Sequence, residues 1–450
     1  MNEASLLSCY SKERISVVRD TILGMLSQAF PQEAASRLLF SYLEELNKLD
    51  AEIDRLHSIS APPADISQAC RVLLSKIAQL VPRLGVLQRS SSLRIAFELA
   101  KSVQTLATQL LHTDGVLASS QFNILCASEW HYSPLYYQKH DLLEEMILFG
   151  LPATESDNSL VYPIMAHEAG HAFWAYSKSK ENLRRLIDEK FRKIVFDYWD
   201  HLEGSGCTGG LTKPGAPGEL QTNIFYSNLV TRLSGSAHRQ AEETFCDYIG
   251  ISTFGSSYLS AFAYLAATGA RGDYSDTYCS SATRSSLLVC AANRLGISIP
   301  MCFEVAFDTK SRIEVYPYSN PEVLGAIASA SQPFFLVSIL GELTVIEVAS
   351  EILSFASTIG QSAGVVAPDA ERVKRAKSYL SLCVPTPSDC TPQETLCAAW
   401  EVSDEQRGQM LAFATPEGKQ TWTAFISCNR VLKETVAKSL EINDLMAGVP

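Results

Sequence analysis

This chain of 450 residues sets 37 Lys and Arg against 49 Asp and Glu, a net charge of −12 with no basic block. That balance excludes a nucleic-acid surface, whose affinity rests on basic side chains neutralising phosphates. No stretch of about 18 residues is apolar and uncharged enough to span a bilayer, and no amino-terminal run pairs a basic start with an apolar core. The expectation is therefore a cytoplasmic protein with no membrane segment and no secretory leader.

The first 116 residues carry four stretches with an apolar stripe at helical spacing. They run Ile15, Val18, Ile22, Met25; then Leu39, Tyr42, Leu46, Leu49, Ile53, Leu56; then Ile66, Cys70, Leu73, Ile77, Leu80; and last Ala96, Leu99, Val103, Leu106, Leu110. Pro31, Pro62-Pro63 and Pro82 punctuate them, which predicts a helical bundle over 1–116. It reads as a support for the rest of the chain, with a regulatory protein partner through these helices as the alternative. Over 118–140 the character changes. Phe122–Cys126 and Tyr136-Tyr137 read as short strands with a turn at Ser133-Pro134. Phe122–Ala127 is the expected edge strand for an extended peptide.

Leu160-Val161-Tyr162 reads extended, and Pro163 suits the first turn of a helix. Residues 167–171 are His-Glu-Ala-Gly-His. Side chains four apart share a helical face, so His167 and His171 can offer two imidazoles to one cation while Glu168 stands beside it. With 8 His in the chain, this pattern arises by chance about once in a hundred such sequences, which favours a site. Gly170 costs a helix about 1 kcal/mol relative to Ala, and a close backbone approach would account for it. A helix follows over Glu181–Leu202, then a Gly/Pro-rich loop over Gly204–Gly218, a lid or a plain connection. On the next predicted helix Glu243 and Asp247 again lie four apart, Glu243 as a third metal ligand and Asp247 as the acceptor of a ligating histidine's free ring N–H. Glu242 and His238 compete for the ligand role, but Glu243 has an Asp at the matching offset. From Pro300 onward the chain reads helical across 336–357, 366–383 and 405–442, with Pro385, Pro387 and Pro392 marking a loop. Gln332–Ile359 carries Glu342, Glu347 and Glu351 and reads as a helix packed in protein.

H-E-x-x-H followed by E-x-x-x-D resembles the signature of the gluzincin metallopeptidases, the thermolysin-like branch of the zincins. The text around it, "YPIMAHEAGHAFW" and "EETFCDYIGISTFGSSYL", is similar to that of an uncharacterised bacterial branch with such a core, over roughly residues 120–290. The resemblance implies that His167, His171 and Glu243 bind one zinc ion, that Glu168 is the general base, and that Asp247 orients the first histidine. It implies hydrolysis of a protein or peptide substrate by metal-activated water. The fold class expected is mainly α (α+β): a zincin-like core with a small β-sheet over 117–299, flanked by the bundle 1–116 and a helical region 300–450. The 72 residues from His171 to Glu243 exceed the spacing in compact members of the group.

A donor for the developing oxyanion is also needed, with Tyr274, Tyr278, Arg284 and His238 as candidates. The runner-up function is a metal-binding regulatory or interaction protein whose zinc site is structural or inactive. Other motifs carry little. Gly204-Ser-Gly206-Cys-Thr-Gly209 matches G-x-G-x-x-G but follows a predicted helix, so no dinucleotide cofactor is expected. The 12 cysteines lack a paired framework, as suits reduced thiols. Cys383, Cys390 and Cys397 recur every seven residues without a C-x-x-C.

Overall fold

The first three apolar stripes become three helices. The computed structural model describes residues 3–30, 33–91, 101, 105, 107–109, 123–129, 146–152, 155, 158–266, 275–307, 333–364, 367–412 and 419–447. Helix α1 (Glu3–Leu26) buries Ile15, Val18, Ile22 and Met25, and α2 (Glu33–Ser58) buries Leu39, Tyr42, Leu46 and Ile53. Helix α3 (Pro63–Arg89) buries Ile66, Cys70, Leu73, Ile77 and Leu80. Leu49 and Leu56 pack at the edge of this core, partly covered. Lys12 and Arg19 of α1 both reach Asp50 of α2, at 2.6 and 2.9 Å.

Pro63 occupies the first turn of α3 as its missing N–H permits, but Pro82 does not end the helix. The apolar face continues through Leu84 and Leu87, both buried, and that burial offsets the hydrogen bond lost at the proline. The fourth stripe, Ala96–Leu110, falls largely outside the described residues.

Strand β1 (Asn123–Glu129) matches the first expected strand and packs on α2 and α3. Its partner is β2 (Met146–Pro152), in parallel register with Leu125 opposite Leu148 and Cys126 opposite Phe149. Tyr136-Tyr137 lies outside the described residues. Among the described residues the chain is mainly helical with this one small sheet. It divides into two compact units: Met1–Thr105 with Ser119–Asn158, and Leu106–Ala118 with Ser159–Pro450. This division differs from the three segments 1–116, 117–299 and 300–450: the strands group with the first helices, and 300–450 groups with the motif-bearing helices.

The main stretch of the second unit opens on a 3-10 helix, Ser159–Ile164, where the sequence reads extended at 160–162. All six of its residues are buried, and Trp400 Nε1 donates to the Leu160 carbonyl at 2.9 Å, so tertiary packing overrides the β-prone side chains. Helix α4 (Met165–Tyr176) follows directly. The single helix expected over 181–202 is broken at Tyr198 into α5 (Glu181–Asp197) and α6 (Trp199–Gly204). Short α7 (Glu219–Thr222) and α8 (Ile224–Leu233) lead into α9 (Gly235–Phe254), the helix around which this unit is organised. It packs on α4, on α10 (Ser256–Ala266), on α11 (Ser281–Leu295) and most extensively on α13 (Pro333–Ser362). Helix α12 (Met301–Phe307) lies against α10 and α11.

The carboxyl-terminal helices α14 (Ala370–Leu380), α15 (Pro392–Ala412) and α16 (Lys419–Ala447) pack on one another. Pro392 opens α15 instead of belonging to the preceding loop. A reciprocal cap holds it there: Thr391 N donates to Glu394 at 2.7 Å, and Glu394 N donates to the Thr391 hydroxyl at 3.2 Å. Glu342 on α13 is buried and caps α11, accepting from Ser280 N at 2.8 Å, from the Ser280 hydroxyl at 2.9 Å, and from the Thr283 hydroxyl. No helix of the described residues is long and apolar enough to cross a membrane.

Candidate metal centre

Helices α4 and α9 approach closely because Gly170 has no side chain. A Cβ built there would lie 3.0 Å from Cys246 Cα and 3.1 Å from its Sγ. That close approach is the one the isolated glycine in H-E-A-G-H called for. It brings the faces bearing His167 and His171 against the face bearing Glu242, Glu243, Cys246 and Asp247.

Glu243 stands opposite both histidines: its carboxylate oxygens lie 3.1 Å from His167 Nε2 and 3.5 Å from His171 Nε2. Ligand atoms about 2.0–2.1 Å from a tetrahedral ion lie about 3.3 Å apart, between those two values. The 3.1 Å contact is not a well-formed hydrogen bond, and the buried Glu243 Oε2 is left without a donor. A buried carboxylate that sets one oxygen toward each of two imidazoles is an arrangement a cation can complete.

Each histidine is oriented from behind. His167 Nδ1 pairs with Asp247 at 2.9 Å, and His171 Nδ1 pairs with Glu242 at 3.0 Å. A ring N–H held by a carboxylate leaves Nε2 free as a lone-pair donor toward the metal position. Asp247 is itself clamped. Tyr258 donates to it at 2.6 Å, and Arg284 donates two hydrogen bonds at 2.6 and 2.8 Å. Tyr258 reaches that point because its ring occupies the space a side chain at Gly250 would fill.

These charges shift one another. Burial opposes the charge on His167, but the Asp247 hydrogen bond and neighbouring Glu243 outweigh it and raise the ring to about 8. Burial also works against ionised Glu243, yet the two histidines hold it down at about 2. Asp247 is depressed below the carboxylate range, its Arg284 partner overcoming burial. Glu168 is the exception. Burial lifts it to about 7, with the histidines opposing, and its carboxylate lies 3.9 Å from His167 Nε2. A buried carboxyl titrating near neutrality beside a metal position can take and return a proton.

The structure thus brings His167, Glu168, His171, Glu243 and Asp247 together. Of the oxyanion-donor candidates, Tyr278 has Glu243, Glu168 and His171 among its electrostatic neighbours, and its hydroxyl is pushed by burial to about 12. Arg284 is committed to Asp247, with its guanidinium 5.1 Å from the Tyr278 ring. His238 pairs with Asp188 of α5 at 2.8 Å, and Glu242 is taken by His171, so neither stands where Glu243 does. Tyr274 lies outside the described residues. Glu242 and Tyr258 as supports, and Cys246 as a neighbour, are absent from the sequence reading. The need of a second histidine for its own acceptor is the signal that could have pointed to Glu242.

His167, His171 and Cys246 form a group whose ligand atoms lie within 4.8 Å of one another, so a metal ion can be held here. No family model, no curated protein and no solved structure matches the chain. The reading of this centre rests on its own geometry.

Proposed function

We propose that the chain is a zinc-dependent metalloendopeptidase of the gluzincin type, with a zincin-like core formed by the α4–α9 pair. The observation that carries the reading is the Glu243 carboxylate set opposite the Nε2 atoms of both histidines, at 3.1 and 3.5 Å. His167, His171 and Glu243 would hold the ion, with Glu242 and Asp247 fixing the two rings. A zinc ion there supplies Lewis acidity and makes a water nucleophilic at neutral pH. Glu168 would be the residue that accepts a proton from the attacking water and returns it to the leaving amine. Tyr278 is the candidate donor to the developing oxyanion.

The test is Glu168→Gln in the full chain, read by zinc content and by cleavage of a peptide library with and without chelator. The expected result is retained zinc and a loss of cleavage of about 10²–10⁴-fold. Undiminished cleavage by the variant would refute the role of Glu168. The second reading, a regulatory or interaction protein with a structural or inactive zinc site, is supported by Cys246, a further donor beside the two histidines. It predicts bound zinc without turnover in the native protein.

A further inference from the structure

The metal centre holds one more donor than hydrolysis uses. Cys246 is buried on α9, one turn beyond Glu243, and its Sγ lies within 4.8 Å of ligand atoms on both His167 and His171. Gly170 makes this possible, since Sγ sits 3.1 Å from where a side chain at 170 would begin. Independently, the Glu243 carboxylate stands opposite the same two imidazoles, at 3.1 and 3.5 Å.

We propose that the Cys246 thiolate is a fourth protein ligand, so that the substrate-free centre is closed by His167, His171, Glu243 and Cys246, and that departure of the sulfur opens the catalytic position. This rests on the zinc reading above. With Zn–S about 2.3 Å and Zn–N about 2.0–2.1 Å, sulfur and nitrogen ligands of a tetrahedral ion lie about 3.5 Å apart. The group spans up to 4.8 Å, so bond formation draws the cysteine and imidazole side chains together. The thiol proton is released to solvent when the sulfur–metal bond forms, and a proton returns to the sulfur when that bond breaks, with no change of oxidation state. A thiolate in the set also favours zinc or cobalt over magnesium or manganese.

Cobalt(II) reports the difference. The full-length protein is stripped with chelator and loaded with cobalt, and its absorption is recorded beside that of Cys246→Ser. Thiolate ligation adds a near-ultraviolet sulfur-to-cobalt charge-transfer band, whereas imidazole and carboxylate give the visible ligand-field bands alone. The wild type should show the band, and C246S should lose it while keeping the visible tetrahedral bands. X-ray absorption of the zinc-loaded wild type needs no variant and should find a sulfur neighbour at about 2.3 Å. Tetrahedral visible bands without charge transfer, and no sulfur neighbour, would overturn the proposal and leave the three-ligand centre standing. A band that persists in C246S would assign the sulfur to another residue and overturn it equally. No cobalt bound at all would instead strike the zinc reading itself.

Discussion

Asp247→Asn removes the negative charge against which His167, Tyr258 and Arg284 are all set. The Asp247 side chain is 2% exposed and takes hydrogen bonds at 2.9, 2.6, 2.6 and 2.8 Å. An amide keeps one acceptor oxygen and turns an NH₂ group toward three donors. Breaking a buried ion pair in this way costs about 3–5 kcal/mol. The lower end applies here, because Arg284 retains 20% exposure and can recover some hydration. At about 2 °C per kcal/mol for a large unit, the metal-free melting temperature should fall by about 6 °C or more. Loss of the carboxylate that orients His167 should also weaken zinc binding by about 10–100-fold. Glu242→Gln is the matched comparison: a carboxylate 31% exposed, with one contact at 3.0 Å to His171. Its stability cost should stay below about 1 kcal/mol. Thermal denaturation of chelator-treated protein and competition with a chromophoric zinc chelator read the two quantities. Equal effects of the two variants, or an Asp247→Asn protein as stable as wild type, would refute the argument that Asp247 anchors the centre.

The pH dependence has a definite sign. His167 is raised to about 8, so its protonated ring stabilises the metal-free protein fully below about pH 6.5, and that stabilisation is lost as pH rises through 8. Melting of the metal-free protein should therefore fall between about pH 6 and about pH 9, by an amount equivalent to about 2 kcal/mol, and a rise over that window contradicts the assignment. Because zinc must displace this proton and that of His171, whose ring is also raised, its affinity should climb with pH through 8, with proton release visible as a buffer-dependent binding enthalpy in calorimetry. Gly170→Ala places a methyl 3.0 Å from Cys246 Cα, which can yield only if α9 moves, so zinc affinity should fall although alanine is the better helix former; a titration showing unchanged affinity refutes the tight crossing. Glu342→Ala strips α11 of its buried cap at Ser280 and Thr283, and chemical denaturation should show about 1–3 kcal/mol of lost stability.

What was legible in the sequence is what a helix enforces by itself. The stripes of α1–α3 have the helical period, and H-E-x-x-H and E-x-x-x-D place their side chains on one face by offset alone. Met146–Pro152 gave no warning as a strand, because a short continuous apolar run looks alike in a buried strand and a buried helix. Leu160-Val161-Tyr162 misled for a related reason: the side chains favour extension, but burial and Trp400 wind the segment into a 3-10 turn. Pro82 misled because a packed face carried α3 past it. At the centre, Glu242, Tyr258 and Arg284 act through the crossing of α4 with α9 and through α10 and α11. Those relations span 71, 91 and 37 residues and leave no local period.

The cap that Glu342 places on α11 has a consequence for synthesis. The two metal-facing motifs leave the ribosome about 170 and about a hundred residues before Glu342 does, and Arg284 about sixty before. A nascent chain in that interval carries every proposed zinc ligand while the helix that steadies Asp247 still lacks its anchor. Maturation of the centre then waits on translation of the long helix that follows, so early metal capture meets a softer pocket than the finished protein offers.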